Sequence, residues 1–333
     1  MKGLVHSIFS IFLFFSIGCW KSEDVKLQER ILELTRQFEI DAFKGSSTLF
    51  PLIDRIHPLP HFLRTKWQIL HKRKDYTPHT PSQKEIAKIL SNAEKFPKKI
   101  QEILQKKVLG IYLMNNLAEN AVLDFIPMPE NKKLYYLLLD SSTFKMNLSE
   151  GISSKLNSIF KESANHSIEF KTSQECDFIL FVLLNKLFQI LDQEENQISP
   201  KDKQTILDPN RFLETPFTKG VWLSRKKPAP LFDFPNRDKL SFYSLEKKNQ
   251  FEIQVAPELF KALKKTPFPS LSASISSTED FSESMTYFHL QKKLGVQCEI
   301  LIREGESMIA NFNPLTLNYS SRFLPIQSIY NNP

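Results

Sequence analysis

Glycine is scarce in this chain, with eight in 333 residues, against an average usage of about 7%. No G-x-G-x-x-G or Walker-type loop occurs, so glycine-rich cradles for nucleotide phosphates are excluded. A G-x-S-x-G nucleophile elbow is missing too, which removes the usual sequence sign of an α/β hydrolase. Cysteine is limited to Cys19, Cys176 and Cys298, and no C-x-x-C spacing or Cys/His cluster suggests a structural zinc site. The seven histidines are dispersed. His57 and His61 are four apart but separated by Pro58 and Pro60, which makes a poor metal-binding helix face, and the lone His289 is expected to be structural. After residue 19 no apolar run reaches the roughly 20 residues that span a bilayer; the longest, 178–191, has the size of a buried core helix.

What is present is a large hydrophobic content, 41% with 28 phenylalanines, enough for an extensive core and against disorder. The net charge of +7 comes from basic residues scattered among acidic ones. Without an aromatic-interleaved basic stripe these read as solvated surface, so no nucleic-acid partner is expected, although a weak attraction to anionic headgroups remains open. At the front, Lys2 precedes an apolar stretch over 4–17 that ends in Ser16-Ile17-Gly18-Cys19. That is a signal peptide's layout, and it resembles a bacterial lipoprotein signal with a loose lipobox. The resemblance implies cleavage before Cys19 and lipid on its sulfur and new amino group. The chain would then be anchored to a membrane in the cell envelope, exposed outside the cytoplasm, since several acyl chains hold far more firmly than one. An ordinary secretory signal with an incidental cysteine is the alternative. Residues 1–18 are thus a signal, and 19–40 a tether with a possible first helix. In an oxidising compartment Cys176 and Cys298 could pair, or stay as buried thiols.

The body divides into a helical part, 41–107, and a mixed part, 108–333. Ser82 followed by Glu85 is a capping box that opens a helix, with helical periodicity at 62–72 and a further helix over 97–106. Runs rich in β-formers at 108–113, 121–126 and 134–140 predict strands. An amphipathic segment at 154–160 precedes an apolar helix that starts after Ser173 and ends near Asp192. Residues 200–240 are irregular and proline-rich, with Trp222, Phe212 and Phe217 expected in the core. Helices at 257–265 and 279–293 and a strand at 297–303 complete an α+β pattern.

Within the apolar helix, Leu183-Leu184-Asn185-Lys186-Leu187-Phe188-Gln189-Ile190-Leu191 has the spacing of L-L-H-E-x-x-H-x-L, in which two histidines bind zinc and the glutamate activates water. Asn185, Lys186 and Gln189 occupy those three places. Downstream, Thr266-Pro267-Phe268-Pro269-Ser270-Leu271-Ser272 precedes Glu279-Asp280-Phe281-Ser282-Glu283-Ser284. Together the two blocks resemble gluzincin-type zinc metallopeptidases, which carry a T-x-F-P-S-L-Y segment before an E-D-F-A-E-S helix. The resemblance implies that Glu279 stands at the third ligand's place and Glu283 at a carboxylate that orients a ligand. It also implies that Ser272 replaces an oxyanion-steadying tyrosine. Only Glu279 keeps its chemistry, and amides rarely serve as primary zinc ligands. The expectation is an inactive metallopeptidase-like domain with a buried helix beside a glutamate-bearing one. It would hold no metal and no cofactor, and act as a binding or scaffold protein for a peptide or protein partner. An active hydrolase with a substituted site, holding zinc, is the alternative; an unrelated adhesin or envelope structural protein is another, favoured if Gln189 and Glu279 lie on opposite sides of the core. A plain structural reading is that Asn185 and Gln189 satisfy each other and that Glu279 and Glu283 form a solvated helix start. Lys186 is expected to pair with Glu279 or Glu283, its ammonium replacing the lost cation.

Overall fold

The computed structural model describes Phe43, residues 48–128, 132–195, 212, 214–242 and 250–314, Arg322 and Tyr330. The signal, Cys19 and the possible first helix lie outside the described residues.

The first sheet is built from β1 (Ile56–Pro58), β2 (Thr77–Pro78), β3 (Val108–Asn115), β4 (Ala121–Pro127) and β5 (Lys133–Asp140). Its order is β1-β3-β5-β4, with β1, β3 and β5 parallel, β4 antiparallel on β5, and β2 antiparallel on the end of β3. Alternate residues of β3 and β5 enter different cores. Ile111, Leu113, Leu137 and Leu139 face one, Tyr112, Met114, Tyr136 and Leu138 the other. Burial on both faces explains why these strands read as continuous apolar runs.

Helix α1 (His61–Leu70) covers the second face through Leu63. Its Lys66, 3% exposed, bonds Asp124 Oδ2 at 2.7 Å and Tyr136 Oη at 3.2 Å. Helices α2 (Gln83–Ala93) and α3 (Lys98–Lys107) cover the first face. The capping box at Ser82 and Glu85 is formed. Arg55, preceding β1, donates to the carbonyls of Leu104, Gln105 and Val108, satisfying the last turn of α3. Packing therefore runs unbroken across position 107/108: β1 pairs with β3, and Ile89, Ile100 and Leu104 share a core with residues far downstream.

Helix α4 (Leu148–Asn157) starts earlier than its amphipathic segment suggests, because Asn147 and Glu150 form a second capping box. It lies close against α5 (Phe178–Glu195): a Cβ placed on Gly151 would stand 2.2 Å from the Phe178 ring. Helix α5 is buried nearly all round, as its composition requires. After the irregular stretch come α6 (Ala256–Leu263) and α7 (Ser277–Phe288), the latter continuing in a π-turn at His289–Lys293. A second, antiparallel sheet joins β6 (His166–Thr172), β7 (Cys298–Glu304) and β8 (Ser307–Phe312) in that order. β6 carries a period-2 pattern, Ile168 and Phe170 buried between Ser167, Glu169 and Lys171, that the expectation omits, whereas β8 is exposed over most of its length and has no such signal.

The fold is thus α+β, with α7 packed against α5, as in the Phe181–Tyr287 ring contact at 5.4 Å. Among the described residues no helix is long and apolar enough to cross a membrane. Trp222 and Phe217 are core, His289 is 3% exposed, and Cys176 and Cys298 are both free thiols, the second buried. Burial pushes the Cys298 thiol up to about 12.

Candidate functional site

The two amides of α5 lie on one face, one turn apart, because helical residues at i and i+4 share a side. Gln189 Nε2 donates to Asn185 Oδ1 at 3.3 Å and to Glu279 Oε1 of α7 at 3.0 Å. Asn185 Nδ2 donates to Ser282 Oγ at 3.1 Å. Residues 90 positions apart are thereby brought into direct contact, and Gln189 and Glu279 do not lie on opposite sides of the core. Glu279 is placed by the start of α7, where Ser276 Oγ accepts from its backbone N–H at 3.2 Å.

This donor set does not fit zinc. The group of Gln189 aimed at Glu279 is its NH2, which has no lone pair to give a metal. That NH2 bridges two oxygens, Asn185 Oδ1 and Glu279 Oε1, which are thereby committed to hydrogen bonds. Among the described residues no group of three or more His, Cys, Asp or Glu side chains could hold a metal ion.

Lys186, about 100° round the helix from Asn185, lines a cavity of about 320 Å³ rather than reaching an acid. The expected Lys186 ion pair is not made; among the described residues it has no hydrogen bond or salt bridge. The pair belongs to Lys155 of α4, whose ammonium lies on Glu283 Oε1. Ser270 donates to the other carboxylate oxygen and Ser272 donates to Oε1 at 2.5 Å. Glu283 is 1% exposed, so it is not part of a solvated helix start. Two hydroxyls and one ammonium compensate its burial. Ser272, at the place of the resemblance's tyrosine, spends its hydroxyl on this carboxylate while lining the cavity.

Glu279 has weaker compensation. Burial holds its carboxyl above the usual carboxylate range, against the pull of Lys186 and then Lys155, with Glu283 and Glu119 adding to the rise. The apolar walls of the cavity include Phe178, Phe181, Val182 and Phe242. Its rim is Glu119, Asn120 and Ala121, from the loop that carries the chain from β3 across the end of β5 to β4. Asp140 pins that loop by accepting from Leu117 N at 2.8 Å, and its own N–H donates to Asn120 O at 3.0 Å.

Asp280, next to Glu279, carries no role in the resemblance, yet it anchors a buried cluster. It is fully buried, accepting from Trp222 Nε1 at 2.8 Å and Arg322 Nη2 at 2.5 Å. Arg322 also donates to the carbonyls of Phe217 and Pro267. Nothing local in sequence marks Lys155 or Arg322, whose partners stand 128 and 42 positions away. No family model, no curated protein and no solved structure matches this chain.

Proposed function

We propose that this chain is a lipoprotein tethered through Cys19 outside the cytoplasm, whose body is a metallopeptidase-like fold emptied of its metal chemistry. In this reading it binds an extended peptide or protein segment at the cavity between α5, α7 and the β3–β4 loop. The observation that carries it is the meeting of Asn185, Gln189 and Glu279. Three positions that match a zinc-ligand pattern by spacing also converge in space, and their chemistry is that of a hydrogen-bond network. Catalysis is not expected from them: Lys186 as an ammonium has no lone pair with which to take a proton from water.

Support for a peptide comes from β4. It ends the order β1-β3-β5-β4, so one side of its backbone has no partner strand among the described residues, only Phe125 N–H being taken there by Asp124 Oδ1 at 2.8 Å, and Ala121 at its start lines the cavity. An extended segment can add to such an edge by main-chain hydrogen bonds while a side chain fills the adjoining apolar space.

The test uses residues 20–333, which retain every described residue. Asn185→His with Gln189→His should supply, with Glu279, the three ligands of an open zinc site. One zinc per chain is expected in the double variant and none in the parent. A folded double variant that takes up no zinc removes the metallopeptidase-like reading; stoichiometric zinc and peptide cleavage in the parent overturn its inactivity. Hydrogen exchange along β4 should slow when a binding peptide is added, and unchanged exchange at saturation rejects the groove.

A further inference from the structure

The loop over 221–231 combines three features that the cavity does not use. Leu223 and Leu231 are 53% and 81% exposed, and between them Arg225, Lys226 and Lys227 are exposed in consecutive positions. The loop is also rigidly seated. Trp222 pairs with Pro228, Leu223 N donates to Lys227 O at 2.8 Å, and Ala229 N donates to Val221 O at 2.8 Å. Beneath the tip Trp222 is fully buried and tied to Asp280.

Single exposed apolar residues are ordinary, but here two exposed leucines flank three exposed cations within nine positions. Protein interfaces are depleted in lysine. Bilayer surfaces with anionic headgroups attract clustered Lys and Arg, while leucines enter the headgroup boundary. We propose that this loop is a second membrane contact, with Leu223 and Leu231 entering an anionic lipid surface and Arg225, Lys226 and Lys227 meeting its phosphates. Ser277 N donates to Arg225 O at 2.9 Å, so the loop is fixed to the first turn of α7, two residues before Glu279. Docking there sets the orientation of the cavity toward the bilayer, which an acyl tether alone leaves free. The inference does not depend on the metallopeptidase-like reading, and it uses the chain without its lipid.

Residues 20–333 are floated with vesicles of phosphatidylcholine alone and of phosphatidylcholine with an equal part of phosphatidylglycerol. Binding is expected only to the anionic vesicles, weakening as salt is raised. Replacing Arg225, Lys226 and Lys227 with Gln should weaken it about fivefold each and about a hundredfold together. Leu223→Ser with Leu231→Ser should weaken it as well. Lys264→Gln with Lys265→Gln, two exposed cations elsewhere, should leave it unchanged. Equal binding to both vesicles, an equal loss in the Lys264/Lys265 variant, or no binding by a parent chain of normal thermal stability overturns the proposal. A protein that competes for the loop while vesicles do not bind also overturns it.

Discussion

Replacing Lys155 with methionine separates the two lysines near the acidic residues of α7. The substitution keeps an apolar stem beside the Phe181 and Phe242 rings and removes the ammonium from Glu283. Side-chain exposures of 15% and 1% make this a buried pair, and removing one partner of such a pair costs about 3 to 5 kcal/mol because a charge is left uncompensated. Ser270 and Ser272 still donate to that carboxylate, which puts the expected loss near the lower bound, about 3 kcal/mol. In a chain of this size that lowers the melting midpoint by about 4 to 5 °C. Lys186→Met removes no ion pair and should cost about 0.5 kcal/mol. The assay is thermal and urea unfolding of residues 20–333 carrying each substitution, Glu283→Gln, and the Lys155→Met/Glu283→Gln double variant. The cycle should return a coupling of about 1 to 3 kcal/mol between Lys155 and Glu283. Equal losses at Lys155 and Lys186, or a cycle that is simply additive, would refute the assignment of the compensating cation.

His289 Nε2–H donates to Lys95 O at 2.9 Å and its Nδ1 accepts from Tyr330 Oη at 3.2 Å, and burial lowers its pKa from 6.5 to about 4. The unfolded chain binds the extra proton first, so this contribution is complete above pH 6.5, falls as pH drops toward 4, and amounts to about 3 kcal/mol; His289→Phe should flatten that part of the stability curve, and an unchanged slope rejects the account. Arg322→Met leaves Asp280 buried without its cation and should cost about 3 to 5 kcal/mol, measured by urea unfolding; a loss under about 1 kcal/mol would contradict it. Gly151→Ala forces a methyl into the Phe178 ring and should destabilise by about 1 to 3 kcal/mol, whereas an open helix position would gain about 1 kcal/mol from the same change. Lys186→Met should move the Glu279 carboxyl titration further up, since that ammonium is the largest influence pulling it down; carboxyl carbon NMR reads the shift, and a fall or no change contradicts the cavity's electrostatics.

Local order was legible because local chemistry specifies it. The Ser82–Glu85 box, the apolar runs of β3 and β5 and the all-round burial of α5 follow from spacing within a few residues. The early start of α4 lies outside the amphipathic segment at 154–160, although the Asn147–Glu150 box that sets it is a signal of the same local kind. β6 was legible, though absent from the expected strands, in the alternation of Ile168 and Phe170 with polar neighbours, while β8 was not, since it exposes most of its residues. At the site, i and i+4 spacing put Asn185 and Gln189 on one face, which any helix does. Only the tertiary structure decided that Gln189 turns its NH2 toward Glu279, that Lys155 rather than Lys186 neutralises Glu283, and that Asp280 binds Arg322 and Trp222. Each of those contacts joins side chains 42 to 128 positions apart. Which lysine meets which carboxylate depends on how α4, α5 and α7 cross, and the periodicity within one helix carries no record of the others.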